Sequence, residues 1–412
     1  MPSNRPDRTT TFDGIVCLGG EDWWYHNRGH FDFQIMRRLA RRWPVLFVNS
    51  LGVRMPSLKD NRLFLQRISR KLKSLGNGLV NVENRFWVFS PVMVPGAAGQ
   101  KLSSWALGPQ IKRAATAAGM RNPILWIHCP AGAVLADSYA SAAVILQRTD
   151  RFEAFPEANP AIVGAQIAHL KARADLVVYA SPALMASETG TVRAQTLVTH
   201  GVDLDTFAAA GRDGAALPQD LAGLPRPRIG FIGGIDHHTF DPELFLGLAR
   251  ALPHHQFVLV GGCSLPDGWC TLRNVHFAGR KPYDEVAGYM AAMDALIMPW
   301  NHSEWIKACN PIKLKEYLAV GRPVITTDFP ALDPWRDLVH VAGDAAGFAR
   351  AIETALAAAP APNNGVLNRL ASETWDAKAD DVHRALTGLG LTFAGGLTEL
   401  PISTLHSGAR AP

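Results

Sequence analysis

Cysteine is scarce and unpatterned here: Cys17, Cys129, Cys263, Cys270 and Cys309 are the five in 412 residues. An odd number, with no CxxC pair and no Cys/His metal spacing, argues against a disulfide framework or a zinc module and fits reduced thiols. No apolar run approaches the ~18–20 residues that a membrane span needs. The opening stretch, MPSNRPDRTTTFDG, lacks the apolar region of a signal peptide. Charge of one sign is not in excess either. The 41 Lys+Arg against 36 Asp+Glu leave +5, too little to argue for nucleic acid. What is present is a chain 48% hydrophobic and 19% charged, long enough for two domains with a sizeable core. A cytoplasmic protein is expected, with contact at the inner face of the cell membrane left open.

Short apolar runs alternate with helical patterns from end to end, which signals parallel βαβ units. In the first half, strands are expected at 15–18, 45–48, 86–90, 124–128, 143–148, 176–179 and 197–198. Residues 208–227 are rich in Ala, Gly and Pro without periodicity and read as a linker. A second series follows at 228–232, 257–260, 275–277, 295–298 and 324–327. The predicted fold class is therefore α/β, with two Rossmann-like domains over 1–207 and 228–387. A final helix at about 372–387 is a candidate to cross back to the first domain, and 388–412 reads as a flexible tail. Parallel sheets bind ligands at the carboxyl ends of their strands, so the two sheets are expected to face a central cleft.

The most informative stretch is NPIKLKEYLAVGRPVITT, residues 310–327. Asn310 is suited to cap a helix, Pro311 to open it and Gly321 to end it, with a strand next. Leu314 and Leu318 share one face, while Lys313, Glu316 and Tyr317 share another arc. A helix whose open N-terminus carries a cation, with a carboxylate one turn further in, suits a diphosphate and then a ribose. The alternative for Glu316 is a surface residue paired with Lys313 or Lys315. Gly233-Gly234, between a strand and a helix, permit close approach of a pyrophosphate or simply make a tight turn.

In the second half RIGFIGGIDHHTFDPELF, FVLVGG, NVHFAGRKPYDEVAGYMAAMDALIMPW and NPIKLKEYLAVGRPVITTDFP follow in order. This series resembles the donor-binding domain of GT-B glycosyltransferases of the retaining family 4, or "glycosyl transferase group 1", type. The first half resembles the acceptor-side domain more loosely, through VCLGGEDWWYHNRGHF, VILQRTDRFEAF, ADLVVYASPAL and VTHGVDLDTF. The resemblance implies a GT-B fold and transfer of a hexosyl group from a UDP- or GDP-sugar to a hydroxyl acceptor. It also implies retention and no need for a cofactor or metal. On analogy the acceptor is a saccharide or lipid-linked saccharide of a surface polysaccharide or exopolysaccharide. Glu316 takes the place of the second glutamate of the family's E-x7-E motif, assigned to the ribose hydroxyls. Arg280 stands in the loop that reads the base. Asn310, Pro311, Ile312 and Lys313, with Lys307, stand at the phosphates. The sequence departs from the pattern twice: Ile235-Asp236-His237-His238 replace the loop's Arg and Lys, and Ala308 replaces the first glutamate. Those departures keep two rivals in view, a non-catalytic nucleotide-sugar-binding partner subunit and a sugar-nucleotide epimerase of the same fold.

In the first half His128 and Asp150 are the catalytic candidates, each at a strand end. A role as a satisfied structural group competes with catalysis for His128. Gly20, Asp22, His26 and Arg28 form an acceptor-side set in the loop after the first strand. Trp23-Trp24-Tyr25 fit either core packing or stacking on a sugar. Between residues 54 and 75 Phe64, Ile68, Leu72 and Leu75 form an apolar stripe flanked by Arg62, Arg67, Arg70, Lys71 and Lys73. Such a helix can rest on an anionic membrane or pack as a solvated surface helix; nothing beside it speaks for nucleic acid. Replacing Arg67, Arg70 and Lys71 together by Glu is expected to lower co-sedimentation with anionic liposomes. Equal sedimentation before and after removes the membrane role from this segment.

Overall fold

A computed structural model describes residues 10–25, 29–50, 76–92, 97–155, 158–212, 217–358 and 364–395, without the side chains of 97–104. The 54–75 segment lies outside them. The chain divides into two compact units. One runs to Ala180, adds Leu184–Val198 and resumes at Lys378; the other comprises Ser181–Ala183 and Thr199–Ala377.

In the first unit, β1 (Thr10–Phe12) precedes β2 (Ile15–Leu18), β3 (Val45–Val48), β4 (Leu79–Glu83) and β5 (Phe86–Phe89). β6 (Ile124–Ile127), β7 (Val144–Arg148), β8 (Leu176–Tyr179) and β9 (Gln195–Leu197) complete the series. The eight-stranded order is β4-β5-β3-β2-β6-β7-β8-β9, and only the β4–β5 pair is antiparallel. Every residue of β2, β3, β6 and β8 is buried, because helices cover both faces of a parallel sheet; their runs are therefore continuously apolar. Trp23 is 2% exposed and packs its ring on Phe33 (5.3 Å) and Phe86 (5.0 Å), so this residue serves the core.

The second unit contains β10 (Arg228–Ile232), β11 (Gln256–Val260), β12 (Val275–Gly279), β13 (Ala295–Met298), β14 (Val324–Thr326) and β15 (His340–Val341). They are all parallel in the order β12-β11-β10-β13-β14-β15, the doubly wound arrangement in which the order reverses beside the first strand. Asp241 caps the helix Pro242–Ala251 through bonds from the Glu243 and Leu244 N–H groups. Asp294 accepts from the Arg228 N–H (2.7 Å) and pairs with Arg226, joining two strand starts.

Two expectations change. The segment read as a linker carries packed structure: Leu221 is 3% exposed and Asp220 accepts from Lys281 (2.6 Å) and Tyr289 (2.7 Å). A single short turn leaves no periodicity to read. The tail expected from 388 instead begins with β16 (Leu391–Phe393), which pairs with β1 and sets Phe393 against Phe12 at 5.7 Å. Three residues whose partner lies at the other end of the chain give no local signal.

A buried charge network joins the ends of β7 and β8. Arg148 is fully buried and donates to Glu188, to both oxygens of Glu153 (3.0 and 3.1 Å) and to the Asp150 carbonyl (3.0 Å). Tyr179 adds a bond to Glu188 (2.8 Å). Burial alone would raise the Glu188 carboxyl, but Arg148, Tyr179 and Lys171 bring it below its ordinary range. A lowered folded value contributes stability that is present above the ordinary carboxylate range and lost as pH falls through the depressed value. Arg148→Met strands two carboxylates and is expected to lower unfolding free energy by about 3–5 kcal/mol. Urea unfolding at neutral and acid pH checks both points: the loss should be large at pH 7 and shrink in acid.

Candidate active site

Where a parallel sheet reverses its strand order, the flanking loops part and leave a crevice at the carboxyl ends. In the second unit the reversal lies between β10 and β13, bordered by Gly233-Gly234 and Pro299-Trp300. The neighbouring ends are bonded together. Gly233 N–H donates to the Val260 carbonyl, Ile235 N–H to Gly262 and Gly261 N–H to Gly279, each at 2.9 Å. Gly261 has φ 151°, and a Cβ there would overlap the Gly233 carbonyl, so glycine is required. The Arg280 side chain, itself exposed, lies against Gly262, where an added Cβ would sit 2.8 Å from its Nη2.

Gly233 and Gly234 do not form an open amide cradle. The Gly233 N–H is taken by Val260, and the Asp236 carboxylate lies over Gly234, 2.6 Å from where a Cβ would stand. Asp236 also accepts from the N–H groups of His238 (2.9 Å) and Thr239 (3.0 Å), closing the turn on itself. A carboxylate in that position disfavours an anion on this turn.

The helix Ile312–Val320 presents an uncapped N-terminus instead. Pro311, not Asn310, is its N-cap, with extended backbone (φ −73°, ψ 124°) and no side-chain cap bond. Asn310 stands one residue too early to cap. Gly321 closes the helix at φ 76° as expected. Tyr317 anchors it: its hydroxyl accepts from the Ile232 N–H (2.7 Å) and donates to the Ile232 carbonyl (3.2 Å), at the last residue of β10. Full burial pushes the Tyr317 phenol well above its usual range, so it remains a neutral donor and acceptor.

Glu316 is 0% exposed, which excludes the surface reading. Its Oε2 accepts from Lys313 Nζ (2.6 Å) and its Oε1 from the Tyr283 hydroxyl (3.2 Å). Lys313 keeps 22% of its side chain exposed, so it alone of the pair has room to move. Lys315 points elsewhere, bonded to Thr199, the His200 carbonyl and Glu373. Lys307 and Glu304 pair with each other at 2.6 Å on the exposed side of a short helix, 58% and 69% exposed. Ala308 ends that helix at 4% exposure.

In the first unit the reversal falls between β2 and β6, followed by Gly19-Gly20 and His128. The Gly20 N–H donates to Asp32 Oδ2 (3.1 Å), a residue the sequence reading passed over; its place in the first turn of the helix Phe31–Leu39 was the available signal. Asp22 is 8% exposed and holds the Trp24 N–H (3.0 Å). His128 Nδ1 lies 2.7 Å from Gln147 Nε2, and Asp150 is half-buried at the end of β7. His26 and Arg28 lie outside the described residues. A cavity of about 480 Å³ lined by Asp137, Tyr139, Arg173 and Asp175 opens at the amino end of β7, away from these strand ends.

Glu316→Gln removes the charge that pairs with Lys313 and one of the two oxygens that accept from Lys313 and Tyr283. The variant is therefore expected to destabilise by about 1–2 kcal/mol and to weaken nucleotide-sugar binding. Thermal melts with and without ligand separate the two effects, and an unaltered ligand-induced shift removes Glu316 from the site.

Residues 226–358 match the model of the family described as Glycosyl transferases group 1. Over 143 residues, 32% of this chain, it is 33% identical to TuaH of Bacillus subtilis, provisionally named a teichuronic acid biosynthesis glycosyltransferase. The match spans about a third (34%) of that protein's length. Among solved structures, sucrose-phosphate synthase of Thermosynechococcus elongatus aligns with TM-score 0.69 at 17% identity, over 92% of this chain and 99% of that one. Anabaena HepE, determined with UDP and glucose, aligns with TM-score 0.59 at 13% identity, over 91% and 99%. A UDP-forming trehalose-phosphate synthase of Burkholderia vietnamiensis aligns with TM-score 0.61 at 12% identity, over 92% and 99%. At these identities the structural likeness is one of fold. Residues 226–358, which hold β10 and the helix bearing Lys313 and Glu316, are thus similar to the glycosyl transferases group 1 family, within a chain of GT-B fold.

Proposed function

We propose that this protein is a glycosyltransferase that moves a sugar from a nucleoside diphosphate sugar to a hydroxyl acceptor, with retention, in the assembly of a surface polysaccharide. The observation that carries the reading is the buried Glu316 beside movable Lys313 at the uncapped start of Ile312–Val320, inside the matched stretch. A ribose replaces Lys313 and Tyr283 as the partner of Glu316, because a carboxylate accepts from two adjacent hydroxyls. Released, Lys313 turns its ammonium to the diphosphate, where the first-turn N–H groups also point. Cation and amides then stabilise the charge that develops on the leaving nucleoside diphosphate, with no bound metal needed. Arg280 stacks on the base. Asp150 and His128, with Gly20 and Asp22, serve the acceptor side, where a carboxylate can take the attacking hydroxyl's proton. UDP is the favoured nucleotide because HepE holds it and the Burkholderia synthase forms it. The polysaccharide role, with a saccharide or lipid-linked acceptor, rests on the name of TuaH.

Binding without turnover is the second reading, favoured by buried Ala308 where the family motif has a carboxylate. Pure protein incubated with labelled UDP- and GDP-sugars and a lipid extract decides between them. Labelled lipid or polysaccharide product is expected, fastest with a UDP-sugar. A melting shift with UDP but no product in any mixture overturns the enzyme reading in favour of the partner, and an altered sugar still on its nucleotide points to an epimerase.

A further inference from the structure

Trp126, near the end of β6, is fully buried, and its indole N–H can only donate. It lies 2.7 Å from one polar atom of the equally buried Gln147 amide, so that atom is the carbonyl oxygen. The same amide then turns its NH₂ to His128, with Nε2 2.7 Å from the ring's Nδ1. An NH₂ group offers hydrogens and accepts none, so Nδ1 must present its lone pair. In the neutral ring the hydrogen is left on Nε2. Neither the tautomer nor the amide orientation is arbitrary here, because the donor-only indole decides both.

The far edge of the ring faces the loop after β2. Nε2 lies over Gly20, 2.8 Å from where a Cβ would stand, so any other residue there would strike it. Phe152 stands edge-on to the ring at 5.7 Å. Among the described residues no acceptor takes the Nε2 hydrogen. A directed N–H therefore ends at the strand-order reversal of the first sheet, beside the loop after β2.

We propose that Gln147, oriented by Trp126, is a positioning residue that holds His128 as its Nε2–H tautomer, so that this N–H donates to an oxygen of the bound sugar substrate. The sugar as acceptor of the bond rests on the glycosyltransferase reading; the tautomer does not. In this arrangement neutral His128 acts as a hydrogen-bond donor. Proton removal from the acceptor falls to another group.

The test is ¹⁵N NMR on histidine-labelled protein at pH 8, without ligand, followed by transfer kinetics. The wild type should show His128 with a lone-pair Nδ1 and a protonated Nε2; the opposite pattern overturns the proposal. In Gln147→Glu the side chain has no hydrogen to give Nδ1, so the tautomer should reverse. The kcat should fall about tenfold or more with UDP affinity unchanged. Should this variant fail to fold, Trp126→Phe removes the indole donor, lets the amide turn over and should yield a mixture of tautomers. A wild-type pattern retained in the folded variants overturns the relay. The expected tautomer in a wild type that transfers no sugar overturns the glycosyltransferase reading and the sugar as acceptor, and leaves the relay standing.

Discussion

The second unit's site depends on one hydroxyl. Tyr317 both accepts from and donates to the backbone of Ile232, the last residue of β10. Helix-to-strand packing by apolar contact alone tolerates sliding, whereas two hydrogen bonds to one residue fix position along the axis. The preceding residue, Glu316, inherits that precision, as does the helix start one turn earlier. Lys313 and Glu316 stand on the helix that Tyr317 pins, while Tyr283 reaches Glu316 from the helix Tyr283–Ala291.

Carboxylates of the chain itself occupy the glycine loops at both strand-order reversals. Asp32 takes the Gly20 N–H, and Asp236 takes the amides of its own turn while lying over Gly234. A glycine pair after a strand is commonly read as a phosphate cradle, but an acidic side chain on it repels an anion. On the proposed reading the anion is met instead at the uncapped helix start, where Glu316 is paired with the partly exposed Lys313.

Buried ions elsewhere are matched with similar care. Arg148 is surrounded by two carboxylates and a carbonyl, and Lys315 by a hydroxyl, a carbonyl and Glu373. Each would be costly alone and is tolerable only with all its partners present. Arg148 does more than neutralise, because its bond to the Asp150 carbonyl sets the loop in which that aspartate stands. Such residues carry no motif, since their partners are gathered from separate strands and helices.

The sequence by itself determined the α/β class, most of the strands and the helix that Gly321 closes. Continuous apolar runs and a left-handed glycine are local signals with a single physical meaning. It also singled out Glu316 and Lys313 as neighbours, because three-residue spacing on a helix needs no tertiary knowledge. Only the tertiary structure decided that Glu316 is buried, that Asn310 does not cap, that Gly233 and Gly234 are no cradle and that 391–393 is a strand. The same holds for the His128 tautomer, which hangs on an indole and an amide from two adjacent strands. Hydrogen bonds and burial between residues distant in the chain arise from packing, and no window of sequence contains both partners.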